Sequence, residues 1–225
     1  MPSLEGSPRR RRVVEETPER STSGWGAVAR RQAEIAERRS EMENQVKEFY
    51  LKDGESATIQ FLHDEPYCYD AHSVRDKNGR FSVVPCQLNT QRRCEMCSRG
   101  IKQTWRAAFK ILDYRGSWDK DKKKFTYDKP VEKIWKVGAT IANQLKSIRD
   151  RRGRELTEMV LEVTRSGSNT DTTYNFEPAF DDDDRKRSPI PWKEETPPVE
   201  TLCQPPTDDE IDASGYSDSI FVSLS

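Results

Sequence analysis

The 225 residues suffice for one domain of ordinary size with additional arms. Only 33% of them are hydrophobic and 34% are charged, at a mean hydropathy of −0.96, too polar for a single core running from end to end. No stretch approaches the roughly 18 consecutive apolar residues of a membrane span, and residues 1–12 carry charge with no apolar run behind them, which argues against a secretory leader, so a cytoplasmic protein is expected.

Residues 1–23 are rich in Pro, Ser, Arg and Glu and contain the block Arg9, Arg10, Arg11, Arg12, which reads as a disordered basic arm. A charged helix is predicted over 25–46, where Ala27, Ala33, Ile35 and Ala36 recur among Arg and Glu. Its apolar face is thin, so it either docks on a neighbouring molecule or is held by its own charge pairs.

From Glu48 the texture turns to short β-type runs: Phe49-Tyr50-Leu51, then 56–62, 67–74 and 81–84, the last two joined by a turn at Lys77-Asn78-Gly79. WRAAFKILDY (105–114) predicts a long central strand and VEKIWKV (131–137) its hairpin partner. A helix fits 139–149, with Ile141, Leu145 and Ile148 at i, i+4 and i+7, and strands at 159–165 and 173–176 close the domain. Such a set predicts a mainly β, α+β protein built as an OB-like Greek-key barrel, with a zinc-binding subdomain inserted at about 67–100. The predicted organisation is an arm over 1–46, the domain over 47–180 and a tail over 181–225. In that tail, prolines and acids (DDDDRKR, PIPWKEETPPVE, QPPTDDEID) are expected to exclude regular structure. The tail ends in Tyr216, Ile220, Phe221, Val222 and Leu224, a small apolar cluster suited to docking on another protein.

His72, Cys86, Cys94 and Cys97 form an H-x13-C-x7-C-x2-C array. The C-x2-C end is a tight knuckle able to aim two thiolates at one ion, and a hairpin turning at residues 77–79 would bring His72 and Cys86 to the same end. One structural zinc ion is therefore expected. A redox pair is the alternative for the knuckle, but it usually sits in a βαβ context, which is not visible here. His63 and Cys68 are rivals to His72, and since Cys68 and His72 share a face of an extended strand, the face alone does not decide. Three clustered cysteines fit a reducing compartment, and Cys203 reads as a plain free thiol.

The net charge of −1 hides a partition: 25 Lys and Arg stand against 19 Asp and Glu over 47–178, and 4 against 12 over 179–225. A basic domain followed by an acidic tail suits a nucleic-acid binder whose tail competes with phosphates. Unpaired strands expose base faces and phosphates together, so their binders interleave aromatics with cations. Residues 105–136 do this. On the predicted strand Trp105, Ala107, Phe109 and Ile111 face a core, which leaves Trp118, Phe125 and Tyr127 as stacking platforms, with Tyr114 beside them, and Lys110, Arg115, Lys122 and Lys124 as phosphate contacts. Arg149, Arg151, Arg152 and Arg154 either add to this surface or cap the preceding helix. No G-x-S-x-G, Walker A or H-E-x-x-H pattern appears, and the only dense acidic cluster, 181–184, falls in the tail, so no enzymatic activity is expected.

On the H-x13-C-x7-C-x2-C array, on FYLKDGESATIQFLHDEP before it and WRAAFKILDY after it, and on the acidic tail, the chain resembles the bacteriophage zinc-containing single-stranded DNA-binding, or helix-destabilising, proteins over roughly residues 47–180. The resemblance implies an OB fold with a structural zinc subdomain whose ligands map onto His72, Cys86, Cys94 and Cys97. It implies cooperative coating of single strands in replication, recombination and repair within the host cytoplasm. It further implies self-association through a basic N-terminal arm, and a tail that recruits replication and recombination proteins.

Overall fold

The computed structural model describes residues 46–76, 78–167, 171–181 and 185–216, together with Val28, Gln32 and Ala33. Those three are helical and exposed, in the stretch where a helix is predicted; the rest of the arm lies outside the described residues. The chain divides into two units between residues 45 and 46, and the second unit carries the sheet and the candidate site.

Its frame is an eight-stranded mixed sheet. β1 (Lys47–Glu48), β8 (Val131–Val137), β5 (Gln103–Asp113), β2 (Ser56–Phe61), β9 (Val160–Ser166) and β10 (Thr173–Pro178) follow one another in space, and β3 (Tyr67–Arg75) joins β4 (Phe81–Pro85) to β5. All pairings are antiparallel except the short parallel one between β1 and β8. A separate small hairpin pairs β6 (Trp118–Asp119) with β7 (Lys124–Phe125). The protein is thus mainly β with a few helices, as expected. β5 is the axis: its first half pairs with β3 (Cys68 opposite Ala107), its second with β8 (Phe109 opposite Trp135) and β2 (Phe61 opposite Ile111).

Period-two alternation selects the core. Ala57, Ile59 and Phe61 of β2, Ala107, Phe109 and Ile111 of β5, Trp135 and Val137 of β8, and Leu161 and Val163 of β9 all point to one side. There Leu145 and Ile148 of α2 (Ala139–Arg152) cover them, the helix ending where Gly153 adopts φ 58. Trp135 makes edge-to-face or tilted contacts with Phe49, Phe61, Tyr174 and Phe176, and truncation of a core ring such as Phe61 to Ala would cost about 3–5 kcal/mol. Trp105, assigned to the core from its parity, is 42% exposed instead, because β5 outruns the core at that end. Phe49 and Leu51 are buried without belonging to a strand.

The tail departs from expectation. Residues 187–203 form a strap across the outer face of the sheet, and two short helices, α3 (Val199–Leu202) and α4 (Asp208–Ser214), interrupt the 181–225 segment that composition marks as irregular. The physical reason lies under the strap. Outward-facing positions of the sheet carry Ala108, Lys110 and Leu112 on β5 and Glu132 and Ile134 on β8, all buried, and half-apolar ground of this kind cannot be left to water. Gln60 exchanges two hydrogen bonds with the backbone of Ile190 (both 2.9 Å). Glu132 accepts from the Trp192 indole (2.6 Å), the Glu195 amide (2.7 Å) and Thr196. Val199 and Cys203 pack with Tyr69, Ala71, Ala108 and Ile134, so Cys203, expected to be a free tail thiol, is buried against the sheet. Residues 217–225, including Ile220 and Phe221 of the predicted docking cluster, lie outside the described residues. Among the described residues no helix is long and apolar enough to cross a membrane.

Candidate metal centre and nucleic-acid interface

The β3–β4 hairpin projects past the core sheet. Its turn is built by Asp76, whose Oδ1 accepts from the amides of Asn78 (2.8 Å) and Arg80 (2.9 Å), while Gly79 takes φ 75, a left-handed conformation that glycine adopts without strain. This register sets His72 opposite Val84 on β4 and Gln103 on β5. Cys86 caps the 3₁₀ turn Gln87–Asn89, Cys94 sits at the N-terminus of α1 (Glu95–Ser98), and Cys97 lies within that single turn of helix.

The ligand atoms of His72, Cys86, Cys94 and Cys97 all lie within 4.8 Å of one another, so together they can hold one metal ion, such as zinc. Cys86 Sγ is 3.7 Å from Cys97 Sγ, and His72 Nε2 is 3.5 Å from Cys94 Sγ and 3.6 Å from Cys97 Sγ. A regular tetrahedron with Zn–S near 2.3 Å and Zn–N near 2.05 Å has edges of about 3.8 Å between sulfurs and about 3.6 Å from sulfur to nitrogen, which these separations match. His72 Nδ1 lies 3.3 Å from the Lys102 carbonyl, a contact that places the ring proton there and leaves Nε2 as the donor. Burial lowers the His72 pKa, keeping the ring neutral as a ligand must be. The Cys97 thiol is pushed up to about 12 by burial and by the neighbouring Cys86 and Cys94. Cys94 moves the other way: burial would raise it, but hydrogen bonds from the backbone of Cys97 and Gln87 and from the neighbouring thiols lower it, so a cation is what would let Cys97 ionise beside it.

The two rivals for the fourth position are elsewhere: His63 Nε2 is 3.2 Å from Glu194 Oε1, and the exposed Cys68 Sγ contacts the Pro66 carbonyl. Sequence reasoning missed Gln103, whose Nε2 donates to Cys86 Sγ (3.0 Å) and Cys97 Sγ (3.5 Å). It also missed Gln87, buried beside Cys86. Both are ordinary polar residues in the sequence, and only strand pairing brings the first to the sulfurs.

The predicted nucleic-acid contacts separate into two groups. Trp118, 42% exposed, and Tyr127, 68% exposed, flank the half-buried Phe125; ring centroids are 5.0 Å apart for Trp118–Phe125 and 6.3 Å for Phe125–Tyr127. Lys122 and Lys124 are exposed on the same hairpin, Lys122 lying 3.3 Å from Asp119. Lys110 and Arg115, by contrast, are not surface cations. The Lys110 side chain is fully buried and paired with Glu194 of the strap. The Arg115 guanidinium bonds Asp113 (2.8 Å) and Glu55 (2.6 Å) and lies 4.3 Å from the Phe125 ring centroid. Tyr114 is half-buried, its hydroxyl donating to Gln60 Oε1 (2.9 Å) with Arg187 over its ring. Lysine and arginine on a strand read as solvated ends in a sequence; here the outward face of β5 is roofed and Asp113 draws Arg115 inward.

Burial alone would raise the Asp113 carboxyl, but Arg115 and Lys133, the latter 2.6 Å away, hold it below the usual carboxylate range. This buried network braces the base of the β6–β7 hairpin. Gly116, at φ 75, closes the hairpin where an added Cβ would meet Thr126 Oγ1 at 2.9 Å and the Lys129 carbonyl at 3.0 Å. Lys123 and Tyr127 are the non-glycine residues with positive φ among those described (50 and 55), local strain of the kind that collects at working surfaces. Between the hairpin and the segment after β1 runs a cleft of about 270 Å³, lined by Lys47, Tyr50, Lys52, Trp118, Phe125 and Lys133 among others. Lys52 Nζ is 5.9 Å from the Trp118 ring centroid, and Tyr50 is 61% exposed. Sequence reasoning assigned Tyr50 to a β-type run and Lys52 to the turn after it, and neither to the site.

Neither the protein-family models nor the curated proteins searched contain a match to this chain.

Proposed function

We propose that this is a non-enzymatic, sequence-tolerant single-stranded DNA-binding protein of OB type, carrying one structural zinc ion at His72, Cys86, Cys94 and Cys97. In this reading it coats exposed strands during phage DNA replication, recombination and repair, as its resemblance to the helix-destabilising proteins implies. The single observation that carries the proposal is the cleft in which exposed Trp118 stands near Tyr50 and Lys52 on a braced hairpin. Bases stack on the rings, each contributing about 1–3 kcal/mol, while Lys47, Lys52, Lys122 and Lys124 meet the phosphates. The long β5, shared by β3, β2 and β8, supports the OB assignment, because such barrels close through one strand that serves two sides. Zinc rather than a redox pair is supported by the fourth, imidazole donor and by N–H donors aimed at the sulfurs. Four protein donors also leave no open position of the kind a catalytic ion keeps.

Titration with oligo(dT), followed by tryptophan emission, tests the proposal. Binding should quench the signal, and affinity should fall as salt rises. Trp118→Ala should remove most of the quench and weaken binding roughly tenfold to a hundredfold. A flat titration would favour a zinc-containing adaptor that binds protein, and cleavage of a labelled strand in magnesium would favour a nuclease.

A further inference from the structure

Gln87 follows a metal ligand in sequence, is 1% exposed, and has its whole side-chain amide in use. Its Oε1 accepts the Glu95 amide at the start of α1 (2.9 Å), and its Nε2 donates to the Pro206 carbonyl (3.2 Å) and to Asp208 Oδ1 (2.7 Å) at the start of α4. One buried amide therefore ties the metal knuckle to the C-terminal helix. Ile211, 1% exposed, joins the same apolar cluster as Cys86, Cys94, Met96 and Ile101, with Tyr216 packed at its margin.

Val74 and Val84 of the β3–β4 hairpin complete that cluster, and α4 has little stability of its own. It has seven residues, with a capping box between Thr207 and Glu210, far below the length at which a helix is stable alone. The Arg93–Asp208 pair (3.3 Å) and the Arg99–Asp212 pair (4.0 Å) are solvent-accessible and contribute little. Docking thus depends on how residues 86–98 sit against Val74 and Val84 of the hairpin. That arrangement depends in turn on whatever draws three sulfurs and an imidazole into contact, since metal binding and local folding are coupled.

We propose that the metal-loaded knuckle is the docking surface for the chain's own residues 207–216, and that loss of the ion frees this segment while the sheet keeps its core. The proposal rests on the metal assignment made above and is independent of DNA binding. It makes the anchoring of the chain up to Tyr216 a function of metal occupancy.

Hydrogen exchange on the full-length, reduced protein tests it, with zinc counted by elemental analysis in every sample. Stripping zinc with a chelator should speed exchange across 207–216 by roughly tenfold or more while peptides from β2, β5 and β9 stay protected. Coupling is reciprocal, so Ile211→Ser, which touches no ligand, should free 207–216 and weaken zinc affinity by the same factor that zinc protects the segment. Unchanged exchange after stripping, unchanged zinc affinity in Ile211→Ser, or simultaneous loss of sheet protection would each overturn the proposal. A protein that neither carries zinc nor takes it up from zinc chloride would overturn the metal assignment itself, a failure visible in the elemental analysis alone.

Discussion

Glu132 on β8 accepts the indole N–H of Trp192 at 2.6 Å, a bond spanning 60 residues of sequence that pins the strap to the outer face of the sheet. Burial would raise this carboxyl, yet the Thr196 hydroxyl, the Trp192 indole and the Glu195 amide hold it below the usual glutamate range. Those bonds favour the ionised form, so their contribution to stability is present above the unfolded-state pKa of ~4.3 and is lost as pH falls through the lower folded value. Acid should therefore release the strap, read as a change in Trp192 emission below about pH 4.3. Glu132→Gln should lower stability by about 1–3 kcal/mol at neutral pH and flatten that acid transition; an acid transition identical to that of the parent would refute the assignment.

Removal of the strap should cost stability. A chain ending at residue 184 leaves Lys110 without Glu194 and exposes Ala108 and Ile134 of the outer face. Lys110 then meets water, so the cost lies in the apolar surface that the strap no longer covers, about 25 cal/mol for each Å² returned to solvent. The expected result is a lower Tm, or failure to fold, for the 1–184 chain. Equal melting of that chain and the parent would show that the strap is dispensable.

Gly116→Ala addresses the hairpin. Its added methyl meets Thr126 Oγ1 and the Lys129 carbonyl too closely for either to stay in place and opposes a left-handed φ. Because β6 and β7 lie outside the main sheet, Tm should fall by only a few degrees, while affinity for oligo(dT) falls several-fold as Trp118 is displaced. Loss of stability with affinity intact would argue against this hairpin as the binding element.

At the metal centre, Cys94→Ala should lose zinc and thermal stability together. Gln103→Ala should keep the ion but bind it about 10–100-fold less tightly, the usual effect of deleting a bond to a ligand atom, read by competition with a chromophoric chelator. Retention of full zinc affinity by Gln103→Ala would show that the N–H to sulfur contacts are incidental.

The strands, the hairpin turn and the three cysteine donors are legible in the amino-acid sequence, because each is written in short-range terms. Period-two alternation marks Ile59 and Phe61, Asn78-Gly79 marks the turn, and cysteine spacing marks the knuckle. The choice between His72, His63 and Cys68 is not legible there, since all three lie within ten residues and parity cannot separate two of them; the pairing of β3 with β5 makes it, by setting His72 opposite Gln103. The tail is misread for a related reason. Proline-rich acidic chain has no helix or strand propensity of its own, and its order comes from partners on β5 and β8 far away in sequence. The near-continuous apolar run around Lys110 was the one local sign that both faces of β5 are covered. Whether Lys110 meets solvent or Glu194 is settled only when the strap and the sheet come together, because the cost of burying a charge depends on its partner and not on its own position in the chain.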